Sequence, residues 1–404
     1  MVWHKQSALL TGMMATLAGI GLSRFAYTPL IPVLIEQHWF GASDAAYIGA
    51  ANLLGYLIGA LSAHPLTERF SYRWVLSIAF VVVALSFLLC AGPFGFAWFF
   101  IWRLLSGVAG AILVVAGPSM ALAATPAEQR TTMSIKVFTG IGVGAMLSAT
   151  VIPALLEVSL TATWIALGVV SLLVGVIGIG GLLTLGSAHH HNEANPGAQV
   201  EDGGQANIGV YPALVVWLVI AAYGLDAAGF VPHTLFWVDY LAREQALGQH
   251  AGSVQWGLFG LGAVLGPLLA GFFANRIGCH RGLMLAYSAK ALAVAIPLIS
   301  VTLVFRSLSS FIFGAMVPCL VALTSGRLAE LVGPVQHKRV WGQATAAFAA
   351  AQAVAGYGMS ALYDLWGTHY PLFAIGSSLL LCCAALIWLS QRVLLTNHAL
   401  PQVR

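Results

Sequence analysis

Apolar residues run in long blocks at about 8–35, 46–64, 74–92, 95–124, 134–156, 162–185, 210–238, 252–274, 282–304, 308–329, 340–362 and 370–390, with short polar breaks between them. Each block is close to, or above, the roughly 20 apolar residues a helix needs to cross a bilayer, and tilt accommodates the longer ones. The pattern predicts twelve transmembrane helices in an all-α membrane protein. One polar stretch is long, Gly186 to Gly209, with His189, His190, His191, Glu193, Glu201 and Asp202 among Asn, Gly and Pro. It reads as a linker between six spans and six. The division is an amino-terminal bundle at 1–185, a linker at 186–209 and a carboxy-terminal bundle at 210–404.

Composition narrows this further. Charged residues are 7% of the 404, hydrophobic ones 59%, and mean hydropathy is +0.89, which excludes a soluble domain of any size and a nucleic-acid partner. Lys5 precedes the first block as in a signal peptide, but that block reaches Ile35 without a convincing cleavage site and reads as a retained span. The five cysteines, Cys90, Cys279, Cys319, Cys382 and Cys383, have neither even number nor zinc-type spacing. Three adjacent histidines in a polar tract make a poor metal site, so no metal and no cofactor is expected. Of seventeen Lys and Arg, twelve fall on the side of the amino terminus, two (Arg243 and Arg306) on the other, and three (Arg24, Arg103 and Lys290) inside spans. By the positive-inside rule both termini and the linker are cytoplasmic.

The two halves echo each other. Pro65–Arg73, after the second span, matches Gly271–Gly278, after the eighth; Glu68 to Asn275 is an offset of 207, and so is Gly107 to Gly314. Gly21-Leu22 with Pro29 in the first span matches Gly224-Leu225 with Pro232 in the seventh at an offset of 203. The repeat argues for two parallel, pseudo-symmetric six-helix bundles.

Gly271 to Arg281 resembles the G-x-L-a-D-R-x-G-R-R signature of the major facilitator superfamily, with Asn275 in place of the acid. The first copy keeps Glu68 and Arg69 but has His64-Pro65 and Ser71 where glycines are expected. Arg103-Leu104-Leu105-Ser106-Gly107-Val108-Ala109-Gly110-Ala111 is similar to the family's fourth-helix motif, with Ser106 in place of Gln, and the fifth-helix antiporter motif is only faintly echoed by Gly140, Gly142, Gly144 and Pro153. Gly21-Leu22-Ser23-Arg24-Phe25-Ala26-Tyr27-Thr28-Pro29 looks like the YbfB/YjiJ-like branch. The resemblance covers all twelve spans. It implies the major facilitator fold, alternating access, movement of a small solute driven by protons or another gradient, and the bacterial inner membrane; duplicated halves are how many such transporters are built. It also implies proton coupling at Arg103, and a conformational gate at Glu68, Arg69, Asn275 and Arg276, read here as loop residues.

Arg24 is the costliest residue of the first span, roughly 2.5–3.5 kcal/mol even on lenient insertion scales. It is either a structural arginine on helix carbonyls or an aromatic ring, or a fixed positive charge on a central cavity. Tyr27 and Thr28, three and four residues on, share its helical face, and Pro29 and Pro32 bend the helix beyond. Asp226 is the one acid of thirteen placed firmly inside a span, hence the candidate proton carrier. His233, two turns later, forms a relay with it or is merely packed. Because the first and seventh spans are pseudo-equivalent, Arg24 and Asp226 are expected to face each other across the axis, as a charge switch, unless Arg24 is an anion anchor beside Tyr27. Lys290 is expected to snorkel to the cytoplasmic face. Trp39, Trp98, Trp102, Trp217, Trp237, Trp366 and Trp388 read mostly as interfacial anchors.

The chain reads as a monomeric secondary transporter of a small organic solute in the lipid bilayer. Arg24 and Arg103 against Asp226 favour an anionic solute by one charge. The alternatives are multidrug-type efflux of lipophilic or cationic compounds, with Asp226 as cation partner, and a non-transporting sensor. The spans hold no paired acidic motif, His-rich helix pair or nucleophile elbow, so an enzyme is not expected, and there is no phosphate-binding loop for ATP.

Overall fold

The computed structural model describes residues 2–126, 129–192 and 213–399. Nearly all of them are helical, and there is no strand among them. The first apolar block becomes α1 (Val2–Thr16), a π-helical turn at Leu17–Leu22, a 3-10 turn at Thr28–Leu30 and α2 (Ile31–Glu36). Then follow α3 (Ala42–Arg69), α4 (Tyr72–Leu88), α5 (Phe96–Ala123), α6 (Arg130–Leu156) and α7 (Leu160–Asn192). The second half opens with α8 (Ala213–Gly229), π-helical Pro232–Phe236, α9 (Trp237–Asp239) and π-helical Tyr240–Glu244, and continues with α10 (Gly248–Ala295), α11 (Leu303–Trp366) and α12 (Tyr370–Ala399). The predicted linker beyond Asn192, and the side chains of His189, His190 and His191, lie outside the described residues.

α10 and α11 are each two helical arms. Gly278 (φ 80°, ψ 159°) breaks the first and Gly333 (φ 70°, ψ 172°) the second. Both breaks fall in the polar intervals between apolar blocks, and both need a backbone conformation that glycine adopts without a Cβ penalty. Among the described residues, eight helices are long and apolar enough to cross a membrane. Large apolar side chains such as Leu173, Val176, Leu292 and Val354 are exposed on the outer surface, as expected where the solvent is lipid.

The repeat seen in sequence is built into the packing. A Cβ on Gly55, Gly107 or Gly59 would come within 2.0, 2.1 or 2.2 Å of the backbone oxygens of Leu104, Asn52 and Val108, where α3 meets α5. In the second half, Gly262, Gly314 and Gly266 stand in the same relation to the oxygens of Phe311, Phe259 and Ala315, at 2.3, 2.1 and 2.4 Å. Every one of these six pairs of equivalents differs by 207 residues, the offset of the loop motif. Backbones that approach this closely exclude any side chain between them.

The halves meet from mid-depth towards one end. Thr28 Oγ1 donates to Thr234 O at 2.5 Å, Gln249 Nε2 to Pro29 O at 2.6 Å and Trp256 Nε1 to Ser148 Oγ at 3.1 Å. Leu235 closes over Gly49, and Phe25 packs edge-on against Trp256 and Phe259. These contacts shut that end of the molecule, its closed end.

Replacing Gly55 or Gly262 by Ala should destabilise the protein by about 1–3 kcal/mol through overpacking. Gly358→Ala, where the added methyl meets open space, should leave the unfolding temperature of the purified protein unchanged.

Candidate functional site

The site forms where helix geometry fails in the first span. Ser23 N and Phe25 N bond five residues back, to Ala18 O and Ile20 O, while Tyr27 N bonds three back, to Arg24 O. Pro29 and Pro32 supply no amide donor, so the α-ladder cannot resume until α2. Interrupted helices of this kind are tolerated in membranes where the freed groups face a cavity or other protein partners. Asn52 of α3 serves as that partner, its Nδ2 donating to Ser23 O and Arg103 O at 3.3 Å each.

Arg24, Tyr27, Thr28, Asn52, Arg103 and Thr234 line one cleft between the halves. Both arginines are buried, at 7% and 1% exposure. Arg24 Nη1 donates to Gln352 Oε1 at 2.9 Å, across the two halves, and its guanidinium lies 4.4 Å from the Tyr56 ring centroid. The Arg103 guanidinium lies 4.7 Å from the Tyr27 ring, whose hydroxyl donates to Ala45 O. Nε and Nη2 of Arg24, Nε and Nη1 of Arg103, and Nε2 of Gln352 have no partner. Among the described residues the ion pairs of Arg and Lys are Asp239–Arg243, Asp226–Lys290 and Arg327–Glu330, so no carboxylate neutralises either arginine. Aromatic faces offset part of the cost of burying these cations, but donors this deep without acceptors are expensive. A planar carboxylate matches two guanidiniums in shape and charge.

Asp226 is elsewhere. Its Oδ1 accepts from Lys290 Nζ at 2.6 Å, both side chains being almost wholly buried, and Nζ is 5.3 Å from the Phe230 and Phe313 ring centroids. The expected pairing of Asp226 with Arg24 is therefore replaced by a pairing with Lys290, and Lys290 does not snorkel. The aromatic enclosure bars its ammonium from water, so the nearest buried acid takes it. His233 does not join Asp226 in a relay either. The π-helical turn at Pro232–Phe236 takes it off that face, and Nε2 meets Ser309 Oγ at 2.8 Å with the ring between Trp237 and Phe313. Trp237, buried in that stack, is not an interfacial anchor.

The motif residues sit on helix ends, not in loops. Glu68 and Arg69 close α3, with Pro65 inside it, and Asn275 and Arg276 end the first arm of α10 before Gly278. Glu68 pairs with His64 one turn back at 3.3 Å, and Arg276 lies 5.7 Å from the Phe272 ring. Sequence reasoning missed Asn52, Tyr56 and Gln352. A lone Asn or Gln in an apolar block is the signal that points to the first and last, whereas Tyr56 offers none.

The family model described as "Uncharacterised MFS-type transporter YbfB" matches residues 16–388. A gallate transporter of Pseudomonas putida is 25% identical over 298 residues, 64% of this chain and 64% of the transporter's own length, so the match spans somewhat under two thirds of that relative. The crystal structure of a mutant of the nucleoside transporter NupG superposes with a TM-score of 0.68 and 15% identity, over 95% of this chain and 99% of that one.

Removing one member of a buried ion pair strands the other, typically at a loss of about 3–5 kcal/mol, while apolar replacement of both is tolerated. Lys290→Met should thus lower the unfolding temperature strongly, and Asp226→Leu added to it should restore most of the loss; equal instability of single and double variants would contradict the pairing.

Proposed function

Since the chain belongs to the MFS-type transporter family of YbfB, we propose that it moves a small organic anion bearing a carboxylate by alternating access between two six-helix bundles, twelve spans in all. The observation that carries this reading is the pair of buried arginines with free donors and no acid to balance them. A buried double positive charge with no acid beside it is stabilised by an anion, and it lies between the halves, where transporters of this architecture bind. The rings of Tyr27 and Tyr56 beside the guanidiniums favour a flat, aromatic solute. A hydroxybenzoate of the gallate type, which the name of the Pseudomonas relative supplies, is the class we assign. Cation efflux is disfavoured, because the carboxylate it needs, Asp226, is already held by Lys290.

Proton coupling is assigned to the Asp226–Lys290 pair: a proton on the carboxylate removes its attraction for the ammonium and frees α8 from the second arm of α10. Arg103 moves from a coupling role to the solute. The Lys and Arg distribution supports termini on the cytoplasmic side, and with the bacterial inner membrane as the location the closed end is assigned to the periplasmic side. Glu68 and Arg276 meet neighbours on their own helices, His64 and Phe272, which accords with this, since a gate at the opposite end is released when this end is shut.

A thermal-shift screen of hydroxybenzoates against purified protein, followed by uptake into proteoliposomes under an inward proton gradient, tests the reading. Arg24→Ala and Arg103→Ala should each weaken binding about 10- to 100-fold, the worth of a charged hydrogen bond. Arg24→Lys should not restore it, because an ammonium lacks the planar fork. Undiminished binding in all three variants would sink the assignment.

A further inference from the structure

Beyond the solute cleft, a second charged cluster ties the π-helical segment after α8 to the turn between α11 and α12. Arg243 is bidentate on Asp239, Nε to Oδ1 at 2.5 Å and Nη2 to Oδ2 at 2.6 Å, and also donates to the Tyr363 hydroxyl at 3.2 Å. Glu244 captures the turn: Oε1 accepts from Thr368 Oγ1 at 2.5 Å and Oε2 from the His369 backbone amide at 2.8 Å. Gly367, at φ 67°, ends α11 and allows the chain to reverse there.

The His369 imidazole, only 1% exposed, lies between the two acids. Nδ1 makes a short contact with Glu244 Oε2, and Nε2 stands 3.2 Å from Asp239 Oδ2. A neutral imidazole has one N–H, and its other nitrogen presents a lone pair. A carboxylate lies beside each nitrogen, and although Nε2 makes no hydrogen bond to Asp239, both charges favour the imidazolium. Charge agrees with geometry, since two acids, Arg243 and a protonated His369 sum to zero, whereas a neutral His369 leaves the cluster with one net negative charge. Tyr240, from the same segment as the acids, and Tyr363 of α11 are the other titratable groups against the ring. Tyr370, at the start of α12, directs its hydroxyl to Leu298 O instead.

The segment held this way is the one that shuts the closed end, because it carries Thr234 and Leu235, which meet Thr28 and Gly49 of the other half. We propose that His369 is a proton-binding site separate from Asp226, and that its proton pins the 232–244 segment to α11 and α12 and so keeps this end shut. Burial alone would lower the affinity of His369 for its proton, but the nearby charges of Asp239 and Glu244 and the Glu244 hydrogen bond outweigh it and raise the pKa above the ordinary 6.5. The sign follows from linkage: the pin is at full strength below the ordinary value and is lost as pH rises through the raised one. Alkaline conditions therefore open this end.

The full chain in lipid nanodiscs, with its native cysteines replaced by Ala and Leu235→Cys added, reports the opening through its reaction rate with a polar maleimide. Dividing by the rate for the denatured protein at each pH removes thiolate ionisation. The normalised rate should rise about tenfold or more between pH 6 and pH 9, the equivalent of one pKa unit or more of coupling. In His369→Gln the rate should not respond to pH, and in Glu244→Gln the rise should move to lower pH. A flat profile in the parent, or an unchanged rise in His369→Gln, overturns the proposal. If His369→Gln does not fold, the midpoint in Glu244→Gln decides it, an unmoved midpoint being the negative result. No solute is present, so failure here leaves the anion assignment intact.

Discussion

Two buried guanidiniums with no acid beside them are the constraint on which the rest of the molecule depends. Arg24 and Arg103 sit in the first half with aromatic rings for company and several donors unpaired. Their neighbourhood is organised to tolerate that. The first helix gives up its regular ladder around Arg24, Asn52 stitches the freed Ser23 carbonyl to α5, and Gln352 reaches across from the second half. The two cations are thus held by neutral groups and ring faces alone.

The second half solves its electrostatics in the opposite manner. Lys290 and Asp226 satisfy each other inside an aromatic shell, and the cluster around His369 is balanced once it holds a proton. The halves share a backbone plan but divide the chemistry, one carrying cations without acids and the other setting acids beside its buried cations. The residues equivalent to Arg103 and Lys290 at the 207-residue offset are Ser310 and Val83, so the division was made by side-chain substitution on a common frame.

Much of the frame was legible from residue order. Hydropathy blocks marked the helices because lipid demands continuous apolar faces, and the 207-residue offset survived because it records glycine contacts that admit no substitute. Arg24 was found from the cost of its burial, Tyr27 and Thr28 from sharing its helical face and Arg103 from the fourth-helix motif, and they do share a cleft. The pairings were not legible. Which acid meets which base depends on where helices stop being α-helical, and the π-turns at Leu17–Leu22 and Pro232–Phe236 rotate the faces that a period of about 3.6 residues assigns. Asp239 and Glu244 looked like loop acids because they lie just past an apolar block, although their partners come from a turn more than a hundred residues away.

The glycine contacts of α3 with α5, and of the first arms of α10 and α11, bear on movement as well as on ancestry. Where backbone touches backbone there is no side chain to change rotamer and no slack to take up, so each pair travels as a stiff plank. Bending must then be concentrated in the two spans that carry π-turns and proline, those of Arg24 and His233. The same spans carry Arg24, Thr28 and Thr234 of the cleft and the two acids that meet His369, so bending there acts on both clusters.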